Sequence, residues 1–269
     1  MLKDITFGQY HGSNSVIHRA DPRLKLLLLI ILIVFIFISS NIFSLLTSAV
    51  FVFLCLIITK VPLKKYFKNL KSILPVLIFT ALINMFYSDG GTVIFTVWKI
   101  TLTTAGVYRA FFMALRIVLL IFLSSALTYT TTPNDLTDGI EQLLSPLKFI
   151  GLKSAVHTLA MMMTIALRFI PTLVEEAEKI MNAQKARGAD LENGNLKQRV
   201  KALIPILIPL LISSVRRAYE LAEAMECRCY NGGEGKTRMK QLKFKVIDLY
   251  ISIVSVVFCG LIVVFNLIF

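Results

Sequence analysis

The chain has 269 residues, 56% of them hydrophobic and only 17% charged, against about a quarter charged in an ordinary soluble protein. Its mean hydropathy of +0.74 represents more apolar surface than a water-soluble core of this size can hide, which excludes a soluble globular fold. The formal net charge of +13 does not point to nucleic acid, because the Lys and Arg residues lie between apolar runs, where basic loops fix membrane topology.

The first apolar run begins near Leu24 and continues directly into more apolar sequence, which is not the pattern of a cleaved signal. Residues 26–59 carry no charge. One helix of that length would cover about 50 Å, well beyond a hydrocarbon core of about 30 Å. The polar patch Ser39-Ser40-Asn41 therefore predicts two short helices, 23–39 and 42–59, with Lys25 and Lys60 snorkelling to the interfaces; one kinked helix is the alternative. Lys60, Lys64, Lys65, Lys68 and Lys71 form a basic stretch before a third apolar run, 72–88. Asp89-Gly90-Gly91 reads as a loop. Residues 92–105 are mixed and hold Trp98, which suits an interface. A fourth span over 107–129 carries Arg116, expected to point into the bundle or at a polar partner. A fifth, 249–269, has no charge after Asp248.

The intervening region 130–245 differs in character. Thr132-Pro133-Asn134-Asp135 is a helix start, with Thr as N-cap, Pro at the first helical position and Asp in the first turn. The helix that follows places Leu136, Ile140, Leu143, Leu144 and Leu147 on one face, suited to a membrane surface. Two long helical patterns follow, from about Ser154 to Arg187 and from Leu196 to Arg228, each apolar at its start and charged at its end. The apolar part of the second, 203–212, is interrupted by Pro205 and Pro209 and is too short to span. Both read as helices that dip against the membrane and then leave it. With the N-terminus inside, 26 of the 29 basic residues fall on cytoplasmic segments and only Lys99 falls outside. The expected fold is thus all-α and polytopic: about four spans in 1–129, a large cytoplasmic or interfacial domain of long helices in 130–245, and a last span in 246–269.

Few residues suggest chemistry. Cys55 and Cys259 lie in apolar runs; Cys227 and Cys229 form C-x-C with no second pair and no nearby His, so no zinc site is expected. Gly232-Gly233-Glu234-Gly235-Lys236-Thr237 is half of a phosphate-binding loop, but Tyr230 stands where the first glycine belongs and no strand precedes it. His11, His18 and His157 are scattered and read as packing or surface residues. No carboxylate pair or Ser/His/Asp set is placed for catalysis, so the chain is expected not to be an enzyme and to hold no cofactor or metal.

The most informative feature is a pair of helix ends, Ala183-Gln184-Lys185-Ala186-Arg187-Gly188-Ala189-Asp190 and Ala224-Met225-Glu226-Cys227-Arg228-Cys229-Tyr230. Each sets an Arg between two small residues, and the two Arg are 41 positions apart. An Arg in a last turn complements the helix dipole. Small neighbours also free a guanidinium to enter a groove and pair bidentately with carboxylates. Two such plugs suit a partner with two-fold symmetry.

Together with Ala166-Leu167-Arg168-Phe169-Ile170-Pro171-Thr172-Leu173, with residues 15–25 and with Thr130-Thr131-Thr132-Pro133, these ends give the chain a resemblance to the transmembrane T components of energy-coupling factor (ECF) importers, over nearly its whole length. The resemblance implies that Ala186, Arg187 and Gly188, and Cys227, Arg228 and Cys229, dock in grooves of two cytoplasmic ABC ATPases, which bind the ATP. The second motif departs from the Ala-Arg-Gly more usual there. It also implies contact of the apolar segments, with Met161, Met162, Met163, Leu203, Ile206 and Leu207, to an interchangeable substrate-binding S component in a bacterial inner membrane, for uptake of vitamins or other micronutrients. The Met triplet reads either as core or membrane packing or as a surface that repacks against different partners. A stand-alone integral-membrane enzyme or secondary carrier is the rival reading. It would need polar groups converging within the bilayer, where the sequence offers mainly Arg116.

Overall fold

The computed structural model describes residues 10–86, 92–97, 100–146, 153–189, 195–231 and 242–268. The expectations for 89–91, Trp98, Lys99 and the glycine-rich loop 232–237 fall outside those residues. In chain order the elements are α1 (Val16–Arg19), α2 (Pro22–Ile38), α3 (Ile42–Thr59), α4 (Leu63–Phe86), β1 (Val93–Val97), β2 (Ile100–Thr103), α5 (Thr104–Thr130), α6 (Pro133–Leu143), α7 (Lys153–Ala186), α8 (Leu196–Glu226) and α9 (Val246–Ile268). The fold is an all-α polytopic one, with a single antiparallel hairpin, β1–β2, where the sequence is mixed. Two compact units divide the chain: Gly8–Gly139 with Gln241–Phe269, and Ile140–Lys240 with residues 1–7.

In the first unit α2, α3, α5 and α9 pack around Leu32, Ile36, Leu45, Phe51, Val52, Phe112, Leu119, Leu123 and Cys259. The two-helix reading of 26–59 holds. Asp21 caps α2 by accepting from the Arg23 N–H at 2.9 Å, and Pro22 fills the first helical position. α2 ends at Ile38 and α3 starts at Ile42. In the turn between them Ser39 is fully buried, bonded to Ser44 Oγ at 2.6 Å. The Arg116 Nη2 donates to the Ser39 carbonyl at 2.5 Å, and its guanidinium lies 5.8 Å from the Phe37 ring centre. The intramembrane cation thus satisfies a carbonyl left orphaned where α2 stops, as expected for an Arg turned into the bundle.

α4 begins at Leu63, well before the apolar run at 72. Lysine is a good helix former, so the basic stretch belongs to the helix rather than to a loop. α4 and α5 approach closely at Gly106, where a Cβ would stand 2.5 Å from the Met85 carbonyl oxygen; only glycine fits there. At the other end of these helices Tyr66 is fully buried, bonded to Thr59 Oγ1 at 3.0 Å and edge-on to the rings of Tyr129 and Phe122.

Residues 10–21 are laced to this end. The His11 N–H donates to the Tyr129 carbonyl at 2.9 Å, and Ser13 Oγ to the Thr59 carbonyl at 2.9 Å. His18 Nε2 donates to the His11 carbonyl at 2.7 Å and its Nδ1 meets Ser15 Oγ at 2.6 Å, so His11 and His18 are packing histidines. Asp248, 1% exposed, then ties the chain's two ends together. One of its oxygens accepts from the Asp21 N–H at 2.8 Å and the other from the Lys245 N–H at 2.7 Å. Arg23 donates to the Leu242 carbonyl at 2.8 Å and covers the Phe244 ring.

In the second unit α7 and α8 pack on each other. The long helix expected from about Leu196 to Arg228 forms: α8 runs unbroken through Pro205 and Pro209, from Leu196 to Glu226. Each proline removes one helical bond and frees the carbonyl four residues back, here at Lys201 and Pro205. Lys201, Pro205 and Pro209 share one exposed side, so the freed carbonyls do not lie in a core. Among the described residues six helices, α3, α4, α5, α7, α8 and α9, are long and apolar enough to cross a membrane by length and composition, where the sequence suggested five spans. α7 and α8 join that set. α2, at 17 residues, reaches about 26 Å, slightly short of a hydrocarbon core of about 30 Å.

Candidate functional site

The two Arg-bearing ends close in the same backbone motif. At the end of α7, Gly188 takes φ +85°. Its N–H donates to the Lys185 carbonyl at 3.0 Å, and the Ala189 N–H to the Gln184 carbonyl at 3.0 Å. At the end of α8, Cys229 takes φ 54°; its N–H donates to Glu226 at 2.8 Å and that of Tyr230 to Met225 at 3.0 Å. Both are Schellman closures, with the Arg at the C-cap and the left-handed residue directly after it. Every one of Ala186, Arg187, Gly188, Cys227, Arg228 and Cys229 is exposed. The closure pairs the Gln184 and Lys185 carbonyls of α7 and the Met225 and Glu226 carbonyls of α8, and among the described residues neither guanidinium bonds to its own helix end. Gly188 meets the left-handed requirement without cost. Cys229 meets it against its Cβ.

The contacts within the pair run antiparallel. Glu176 of α7 accepts from Ser213 Oγ and, at 2.7 Å, from Arg217 Nη2 of α8. Further back on α7, Arg168 and Phe169 share a cavity of about 410 Å³ with Glu220, Leu221 and Arg228. Further back again, Tyr230 Oη donates to Met161 Sδ at 2.7 Å. Residue numbers fall along α7 as they rise along α8, so the ends point opposite ways. Arg228 sits beside Arg168, and Arg187 stands about 28 Å further along α7. Apolar and charged halves of the two helices therefore lie side by side.

What segregates is a face. Val200, Leu203, Ile204, Leu207, Ile208, Leu211, Ile212, Val215 and Tyr219 are all at least 45% exposed and recur at the helical spacing of three and four. They form one apolar stripe about 29 Å long on α8. Among the residues suggested for a membrane partner, Leu203, Leu207, Met162 and Met163 are on the surface, whereas Ile206 is buried and Met161 is half-buried against Tyr230. Sequence reasoning did not single out the Glu176–Ser213–Arg217 clamp or Arg168's place beside Arg228. The signal for the second was present: Arg217, Glu220, Leu221, Ala224 and Arg228 are spaced for one helix face. His157 Nδ1 lies 3.6 Å from Glu141 Oε1. Among the described residues no group of three His, Cys, Asp or Glu is placed to hold a metal.

A family model described as "Cobalt transport protein", CbiQ, matches residues 13–239. The energy-coupling factor transporter transmembrane protein EcfT of Ruminiclostridium cellulolyticum is 48% identical over 269 residues, covering all of both chains. The EcfT of Clostridium kluyveri is 51% identical over 258 residues, 96% of this chain and 95% of that one. The EcfT of Bacillus subtilis is 41% identical over 261 residues, 97% of this chain and 98% of that one.

Proposed function

This chain belongs to the CbiQ family and is the transmembrane component of an energy-coupling factor transporter in a bacterial membrane, and from that premise we propose that it carries the motion of two cytoplasmic ABC ATPases to a separate substrate-binding S component. Residues 1–129 and 246–269 hold it in the bilayer, and residues 130–245 form the coupling domain on the cytoplasmic side. ATP is bound and hydrolysed by the partner subunits. This chain needs no cofactor and performs no catalysis. The S component binds the vitamin or other micronutrient and releases it inward when the coupling domain moves.

The observation that carries this reading is the repeated helix end. Two Arg residues occupy the same C-cap position of the same closure, both exposed, at opposite-facing ends about 28 Å or more apart along the α7–α8 pair. A single socket cannot hold both; two like sockets on a dimeric motor can. Ala186 and Gly188, and Cys227 and Cys229, leave the guanidinium unscreened for a carboxylate in each groove. The stripe on α8 with Leu203 and Leu207, together with Met162 and Met163, is the surface offered to the S component. It has no role for a stand-alone carrier.

The test is association. Arg187→Glu with Arg228→Glu should abolish capture of the ATPases, since a like-charge contact at each groove costs several kcal/mol. Normal co-purification of the double variant would refute the docking model.

A further inference from the structure

The α8 end shares a cavity with residues of α7. The cavity between α7 and α8 is lined by three arginines, Arg168, Arg217 and Arg228, and by one acidic residue, Glu220. Arg217 is neutralised by Glu176 at 2.7 Å, and Ser213 holds the same Glu176. Arg168 and Arg228 have no carboxylate within 4 Å among the described residues. Against them stands Glu220 alone, so the cleft keeps an excess positive charge. Its apolar floor, with Ile165, Phe169 and Leu221, lowers the local dielectric and strengthens any anion contact made there.

We propose that Arg168 is a second docking residue: Arg168 from α7 and Arg228 from α8 together grip one acidic side chain of the ATPase subunit that receives the end of α8. The proposal rests on the docking reading above and adds a residue and a ligand group to it. The occupant is a carboxylate because Arg168 and Arg228 line one cleft, and a carboxylate has two oxygens to share between two planar forks. It comes from the ATPase because Arg228 is the tip that enters the groove, and whatever meets Arg228 also meets Arg168. The arrangement makes the two ends unequal. Arg187 is exposed at the end of α7, whereas Arg228 works from a cleft that α7 completes.

The experiment uses the full transporter, with the ATPase pair captured on the detergent-solubilised membrane component. Affinity is read for Arg168→Gln, Arg168→Lys, Arg228→Gln and the Arg168→Gln/Arg228→Gln double variant, and the unfolding temperature of each variant alone is recorded. Loss of one charge-assisted contact predicts about tenfold weaker association for Arg168→Gln at unchanged unfolding temperature, with Arg168→Lys in between because it keeps the charge without the fork. The double variant should be no weaker than Arg228→Gln by more than about twofold, since both residues serve one carboxylate. Wild-type affinity for Arg168→Gln, fully multiplicative losses in the double variant, or weaker binding that tracks a lowered unfolding temperature would each overturn the proposal. If Arg168→Gln does not fold, Arg168→Lys decides: reduced affinity supports the shared grip and wild-type affinity refutes it. The two readings fail separately. Arg228→Gln weakened with Arg168→Gln unaffected removes only Arg168's role, whereas normal affinity for both, as for the Arg187→Glu/Arg228→Glu pair, removes the docking reading itself.

Discussion

Cys229 holds a left-handed backbone, φ 54°, at a place where the matching end uses Gly188 at φ 85°. A non-glycine residue there costs about 1–2 kcal/mol; part of that gain is lost to unfolded-chain entropy on substitution by glycine. Cys229→Gly should therefore raise stability by about 0.5–1 kcal/mol, and Gly188→Ala should lower it by about 1 kcal/mol, both read as shifts in thermal unfolding of the solubilised protein. The two Arg were legible in the sequence because small neighbours flank them at charged helix ends. The left-handed turn at Cys229 was not, since cysteine has no preference for that conformation and only the closing hydrogen bonds reveal it. His18 makes a second prediction. Desolvation by burial holds its pKa below the ordinary 6.5, opposed by the hydrogen bond to the His11 carbonyl. A depressed histidine contributes stability that is fully present above pH 6.5 and is lost as pH falls through its folded value. The wild type should thus lose more stability between neutral and mildly acidic pH than His18→Gln does, measured by unfolding at each pH.

α8 illustrates how a helix can be read correctly in extent while its pairing stays hidden. Its boundaries were visible from periodicity, although Pro205 and Pro209 interrupt its apolar run. The four-residue spacing puts both on one exposed side, where the carbonyls they free need no helical partner, and the helix continues. The antiparallel course of α7 and α8 was not legible, because each helix's pattern reports only its own faces and the pairing is set by contacts such as Glu176 with Ser213 and Arg217. The stripe on α8 yields a prediction that separates its two partners. Leu207 and Leu211 are 57% and 65% exposed, so Leu207→Glu with Leu211→Glu removes little internal packing and should cost the helix pair under about 1 kcal/mol. The double variant should still capture the ATPases while losing the S component and substrate uptake. Retained S component would show that the stripe faces something else.

The chain as a multi-pass protein follows from composition alone: long uncharged runs separated by basic segments have no other solvent than a bilayer. The number of spans is less legible, because α7 and α8 have the length and mean hydropathy of spans while carrying the charged residues of an interfacial pair. Native thiols can resolve the placement. Cys227 and Cys229 are exposed, Cys259 is buried and Cys55 is half-buried. A membrane-impermeant maleimide should label Cys227 and Cys229 in inside-out vesicles and leave them unlabelled in intact cells; labelling from outside would reverse the proposed topology. The hardest feature to foresee was the tie between Asp21 and Asp248, 227 positions apart, since neither residue carries a local signal of the other.

That tie has a consequence for biogenesis. The amide at the threshold of the first long helix finds its anion only after the ribosome has delivered the 227 positions that separate the two residues. Until then the early helices hold an unmet donor, and a stalled or prematurely terminated product keeps it permanently. The carboxylate at the start of α9 thus closes a ring that the earlier helices cannot close by themselves.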